Sequence, residues 1–78
     1  MAIETLTRAA SLGDTTAQLH LAGLFETGDS GVAINLEESR LWVRRAAEGG
    51  NPRGMHNYGL YLFEGIGGPR NGAEGLAW

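Results

Sequence analysis

Two histidines, three closely spaced arginines and one glycine-rich loop are where this 78-residue chain carries side chains with a capacity for chemistry. His20 and His56 could ligate a metal or move a proton, because imidazole titrates near neutrality. Neither has the H-x-x-x-H or carboxylate-supported spacing that such a site needs. We expect His20 to make a partly buried polar contact on its helix, since buried polar groups find hydrogen-bond partners. Arg40, Arg44 and Arg45 form the basic cluster, with Glu37 and Glu48 within a helical turn. That arrangement reads as a solvated, salt-bridged outer face. Arg40 and Arg44 share a side and could also dock an acidic partner. The stretch GIGGPRNG at 65–72 has the glycine density of a phosphate cradle, but lacks G-K-[ST] and follows no strand. With no cysteine there is no disulfide framework, thiolate metal site or thiol nucleophile. No catalytic, cofactor-binding or metal-binding residue is therefore assigned, and no enzyme is expected.

The elements that position these residues come in copies. AQLHLAGLFETG at 17–28 aligns with GMHNYGLYLFEG at 54–65, so Ala17, Ala22 and Gly28 recur as Gly54, Gly59 and Gly65, 37 residues on. Backwards, Ala9, Ala10, Gly13 and Asp14 recur as Ala46, Ala47, Gly50 and Asn51. Forwards, Asn35, Glu38 and Trp42 return as Asn71, Glu74 and Trp78 at an offset of 36, so the first copy has one extra loop residue. On this alignment His20 faces Asn57 and His56 faces Leu19, so the histidines are not a matched pair. Self-similarity at such a period marks a stacked repeat protein.

Helical spacing runs throughout. Ala2 to Leu12 forms one helix, with Ile3, Leu6, Ala9 and Ala10 as its apolar stripe. Gly13 ends it and Asp14 caps the next. That second helix covers Thr15 to Thr27, its inward residues being Ala17, Leu21, Ala22, Leu24 and Phe25. A loop follows in which Val32 and Ile34 should anchor on the core. Asn35 and Glu38 make an N-x-x-E cap for a third helix carrying Leu41, Trp42, Ala46 and Ala47 inward. Asn51 before Pro52 is a strong start signal for a fourth helix reaching about Phe63. Asn71 and Glu74 open a fifth. The aromatic residues Tyr58, Tyr61, Phe63 and Trp78 are expected to be mostly inter-repeat core.

The chain resembles the Sel1-like repeat, a relative of the tetratricopeptide repeat. The resemblance rests on Ala17, Leu21, Ala22, Phe25, Gly28, Gly31, Val32, Asn35, Ser39, Trp42, Ala46, Ala47, Gly50 and Asn51 in the first copy. In the second it rests on Gly54, Tyr58, Gly59, Leu62, Gly65, Gly67, Asn71, Gly75 and Trp78. It implies an all-α, right-handed α/α superhelix of about two and a half helical-hairpin repeats in the order B-A-B-A-B. One domain spans 1–78, divided into a partial repeat at 1–14, a first repeat at 15–51 and a truncated second at 52–78. Three residues depart from the family pattern: Gly68 replaces Val, Gly75 replaces Ala, and the aromatic stands at Tyr61, one place early. They suggest a softer second repeat.

The resemblance also implies function. It points to a non-enzymatic scaffold that binds a protein or peptide partner, within a longer bacterial protein in envelope or cell-pole organisation. It favours periplasm or envelope over cytoplasm, although no signal peptide is visible. Gln18, Glu26, Thr27, Met55 and Glu64, on the A helices away from the core stripe, are candidates for the concave binding face. The rival readings are a cell-wall, small-ligand or hydrolytic module, and a structural spacer or oligomerisation segment. Six basic against nine acidic residues give a net charge of −3, which argues against nucleic acid. No apolar run approaches the roughly 20 residues of a membrane span, so no direct membrane insertion is expected. The short last helix leaves Trp78 and Leu76 in need of cover. We expect self-association through this uncapped end, or a following repeat in a longer polypeptide.

Overall fold

A computed structural model describes residues 3–78. Met1 and Ala2, where the first helix was expected to begin, lie outside the described residues. Among the described residues five α-helices follow one another: α1 (Ile3–Ser11), α2 (Thr15–Thr27), α3 (Leu36–Glu48), α4 (Pro52–Glu64) and α5 (Gly72–Ala77). A single 3₁₀ turn at Asp29–Gly31 lies between α2 and α3, and no strand occurs among the described residues. Each helix packs against its neighbours in sequence, giving a slab of 36 × 24 × 14 Å.

Short polar side chains start the helices because they satisfy amide donors that have no partner inside a helix. Asp14 accepts from the Ala17 amide at 3.1 Å, and Asn51 from those of Arg53 at 2.9 Å and Gly54 at 3.4 Å. Asn35 and Asn71 each accept from the amide three residues on, Glu38 and Glu74, both at 3.1 Å. Gly28 and Gly65 end α2 and α4 in the left-handed region, at φ 78° and 74°, where a Cβ would be strained. Beyond them the chain returns to corresponding carbonyls. The Asn35 amide donates to the Phe25 carbonyl at 2.8 Å, and that of Asn71 to Leu62 at 2.7 Å. The longer first loop contains Ser30, a non-glycine residue at φ 60°.

The core is continuous across the helices and holds Leu6, Leu21, Trp42, Val43, Tyr58, Tyr61 and Leu62, with alanines at the crossings. Fully burying side chains of this size contributes about 1.5–3 kcal/mol each. Several expected core residues lie outside it. Ile3, Leu41 and Phe63 are exposed, and Ile34 is largely in water while its neighbour Val32 packs on the core. In α3 the buried stripe is Ser39, Trp42, Val43, Ala46 and Ala47. That spacing turns Leu41 outward, and Val43 takes the place expected of it. The stripe has a hydroxyl in it, so hydrophobicity alone misplaces its edge.

Candidate partner-binding groove

Two hydrogen bonds fix how α2 and α4 lie together. Asn51 Nδ2 donates to Thr15 Oγ1 at 3.1 Å, joining the N-terminal ends. Tyr61 OH donates to Glu26 Oε2 at 2.5 Å, joining the two C-terminal halves. The helices therefore run parallel, with a groove of about 350 Å³ between them. Leu19, Val43, Leu60 and Ile66 give it an apolar lining, while Arg53, Asn57, Glu26 and Glu64 supply polar and charged groups. A second hollow, bounded by Thr16, Leu19, His20, Asn51 and Arg53, shares Leu19 and Arg53 with the groove and extends it toward the helix N-termini.

The groove is held by a hydroxyl network. Ser39 on α3, fully buried, has its Oγ 2.8 Å from the Ala22 carbonyl oxygen and 2.8 Å from Tyr61 OH. An ionised carboxylate can only accept, so Tyr61 gives its hydrogen to Glu26. The single Ser39 hydrogen is then shared between the Ala22 carbonyl and the Tyr61 oxygen. Burial first, and the Glu26 bond second, push the Tyr61 phenol up to about 12. This network ties α2, α3 and α4 together where the two copies meet. The packing between α3 and α4 is equally tight: a Cβ at Gly54 would stand 2.8 Å from that of Ala46.

The expected site residues do not all come together. Glu26 and Glu64 are exposed and line the groove. Thr27 is exposed but does not line the groove, and its hydroxyl donates to the Gly23 carbonyl at 3.0 Å. Gln18 is corrected: it is buried, and its Nε2 donates to the Ala10 carbonyl at 2.9 Å, joining α1 to α2. Met55 is half-buried and packs on the core. Arg40 is not simply solvated, because its Nη1 donates to the Pro69 carbonyl at 2.9 Å and pins the loop before α5. Arg44 pairs in the open with Glu48 at 3.2 Å, which raises its pKa through the hydrogen bond and the carboxylate charge. Arg45 lies over the Trp42 ring, 4.6 Å from its centre. His20 is also corrected, since it is exposed and not partly buried.

The repeat positions divide in the same way. Ala17, Ala22, Trp42, Ala46, Ala47 and Gly59 are buried, Gly50 is left-handed at φ 85°, and Trp78 is 37% exposed. Among the described residues no group of three His, Asp or Glu side chains could hold a metal ion.

Family comparison decides what this repeated hairpin is. The Sel1 repeat model matches residues 15–51 and again residues 52–78. The chain belongs to the Sel1 repeat family. Its relatives include "Localization factor PodJL" of Caulobacter vibrioides, found in two strains, each 47% identical over 69 residues. That match covers 88% of this chain but only 7% of the relative. No solved structure matches this chain. Sel1 repeats generally mediate protein–protein interaction. In Sel1 terms α2 and α4 are successive A helices, and α1, α3 and α5 are B helices.

Sequence reasoning missed Tyr61, Arg53 and Asn57 as groove residues, and Ser39 as the buried support behind Tyr61. The signal for Ser39 and Tyr61 was present. Ser39 stands at a small-residue place of the repeat, and Tyr61 one place ahead of the expected aromatic. Their coupling needs the fold, because they are 22 residues apart.

Proposed function

We propose that this chain is a non-enzymatic protein-binding scaffold, and that the groove between α2 and α4 is its contact surface. The observation that carries the reading is the construction of the groove. Its walls come from consecutive repeats, its lining sets an apolar strip between charged groups, and the Ser39–Tyr61–Glu26 network holds it open. A concave surface built on rigid helices is the usual means by which solenoid repeats engage a chain. We also propose that the 78 residues act as a segment of Sel1 repeats within a longer bacterial protein that organises others at the envelope or cell pole. The name of the PodJL relative, a localization factor, supports this reading. Nucleic acid is not proposed as a partner, since the net charge is −3.

The decisive experiment fills the groove. Gly23 lines it, is exposed, and has nothing within 4 Å of where a Cβ would stand. Gly23→Leu should therefore fold normally and abolish peptide or protein binding. Unchanged binding in that variant would move the contact surface elsewhere.

A second observation supports a second contact. His56, Gly59, Leu60, Phe63, Leu76 and Trp78 line an apolar groove of about 340 Å³ on α4 and α5. By the repeat, His56, Gly59, Leu60 and Phe63 correspond to Leu19, Ala22, Gly23 and Glu26, the α2 wall that α4 faces. The occupant we propose is the A helix of another Sel1 repeat, continuing the interface already present inside the chain. Sedimentation across a concentration series tests for self-association by this face. Association that survives Leu76→Glu would place the contact elsewhere.

A further inference from the structure

The groove has an electrical direction, and from it we infer the chemistry of the segment that binds there. The inference rests on the groove being the contact surface. Because α2 and α4 run parallel, their dipoles add instead of cancelling, positive at the N-terminal ends and negative at the C-terminal ends. The charged side chains follow the same sense. Arg53 lies near the start of α4, within reach of the hollow that holds exposed His20. Glu26 and Glu64 line the groove near the ends of α2 and α4. Between the poles lie Leu19, Leu60 and Asn57, and the charged lining residues, Arg53, Glu26 and Glu64, stand at the two ends. We propose that the groove takes an extended peptide with a Lys or Arg at one end, an Asp or Glu at the other, and apolar residues between.

Spacing makes the proposal specific. Arg53 and Glu64 are eleven residues apart on α4, about 16 Å at roughly 1.5 Å per residue. An extended peptide covers that distance in about five residues, at roughly 3.3 Å each. The occupant is therefore a segment whose opposite charges stand about five positions apart. A helical segment would need them about eleven apart, again at roughly 1.5 Å per residue.

The test uses capped synthetic peptides, held extended by alternating prolines, with one Lys and one Glu two, five or eight positions apart. Binding is followed by amide chemical shifts of the intact chain, which report affinities into the millimolar range. The five-residue spacing should bind best, and binding should weaken as salt is raised. Glu26→Gln with Glu64→Lys keeps the acceptor for Tyr61 and places a cation where the helix dipole favours one. This variant should bind the Lys–Glu peptide about three- to tenfold more weakly, the size of one or two exposed ion pairs. It should prefer a Glu–Glu peptide of the same spacing. Equal binding of all peptides, abolished by Gly23→Leu, would leave the groove as the contact surface and overturn the charge spacing. Failure of every peptide to shift groove amides, or indifference to Gly23→Leu, would overturn the groove reading and this inference with it.

Discussion

The two repeats place the same residues of their hairpins together, but by different means. In the first, Ala22 of α2 meets Ser39 of α3, and the serine hydroxyl lies 2.8 Å from the alanine carbonyl oxygen. In the second, the corresponding pair is Gly59 and Gly75, which meet backbone to backbone. A Cβ on Gly59 would lie 2.8 Å from the Gly75 carbonyl oxygen, and one on Gly75 2.7 Å from that of Gly59. The bonds that close α2 and α4 and the return bonds from Asn35 to Phe25 and from Asn71 to Leu62 nevertheless fall on corresponding residues. Repeat position thus fixes the backbone, while its neighbours decide what a side chain does there. Trp42 is buried and shielded by Arg45, whereas its counterpart Trp78 packs edge-on against Tyr58 at 5.4 Å and remains partly in water.

The sharpest way to break this comparison is to truncate both tryptophans. Trp42→Ala should destabilise by about 3–5 kcal/mol, as aromatic truncations in packed interiors do. That approaches the whole stability of so small a domain. Trp78→Ala removes a ring that is still partly hydrated and should have a clearly smaller effect. Urea titrations of the two variants decide it. Equal losses would mean that the indoles are equally enclosed and the repeats energetically alike.

Next in size are the glycine crossings. Gly75→Ala gains helix propensity but must push against the Gly59 carbonyl, and overpacking of this kind typically costs about 1–3 kcal/mol. Gly23→Ala, in open space within α2, has only the propensity gain of up to about 1 kcal/mol. The two substitutions should therefore shift the melting temperature in opposite directions. A stabilised Gly75→Ala would show that α4 and α5 separate readily.

Much of this was legible in the sequence, and the parts that were not share one physical cause. Caps, turns and helix order depend on residues a few places apart, so Asp14, Asn35, Asn51 and the left-handed glycines declared themselves. The groove depends on polar atoms that meet across helices. Gln18 has the composition of a surface residue, yet it reaches the Ala10 carbonyl. Ser39 has a surface hydroxyl by type, yet it is fully buried among carbonyl and phenol oxygens. The three departures from the family pattern, expected to soften the second repeat, each have a contact there. Tyr61 bonds Glu26, Gly75 admits Gly59, and Gly68 leaves room for the Arg40 guanidinium, 2.8 Å from where a Cβ would stand.

Tyr61→Phe tests the joint between the repeats. Losing one hydroxyl from a paired network should destabilise by about 1–2 kcal/mol, since Ser39 and Glu26 each lose a partner. The pH dependence gives an independent reading. A phenol whose pKa is raised by folding, here to about 12, adds stability that is fully present below the ordinary value of 10.0. That stability is lost as pH rises from there through 12. Between about pH 9 and 12 the parent should therefore lose stability more steeply than Tyr61→Phe. Parallel alkaline profiles would show that the phenol ionises in the folded chain as easily as in the unfolded one.

The smallest effect separates two arginines on one helix. Arg44 and Glu48 face water, and exposed pairs of this kind contribute little. Arg44→Gln should leave the denaturation curve unchanged. Arg40 differs because its target is a backbone carbonyl of the other repeat, Pro69, with the Ile66 carbonyl at 3.4 Å as a second acceptor. The corresponding residue in the second repeat is Leu76, which is exposed and has no such reach. Arg40→Gln should therefore release the 66–71 loop without unfolding the helices. Amide exchange is the proper measurement, because local opening is visible there while the global transition hardly moves. Faster exchange at Ile66 and Asn71 in Arg40→Gln, but not in Arg44→Gln, is the expected result. Equal exchange in both variants would reduce Arg40 to a surface charge, and leave the Tyr61 network and the α3–α4 core as the joint between the repeats.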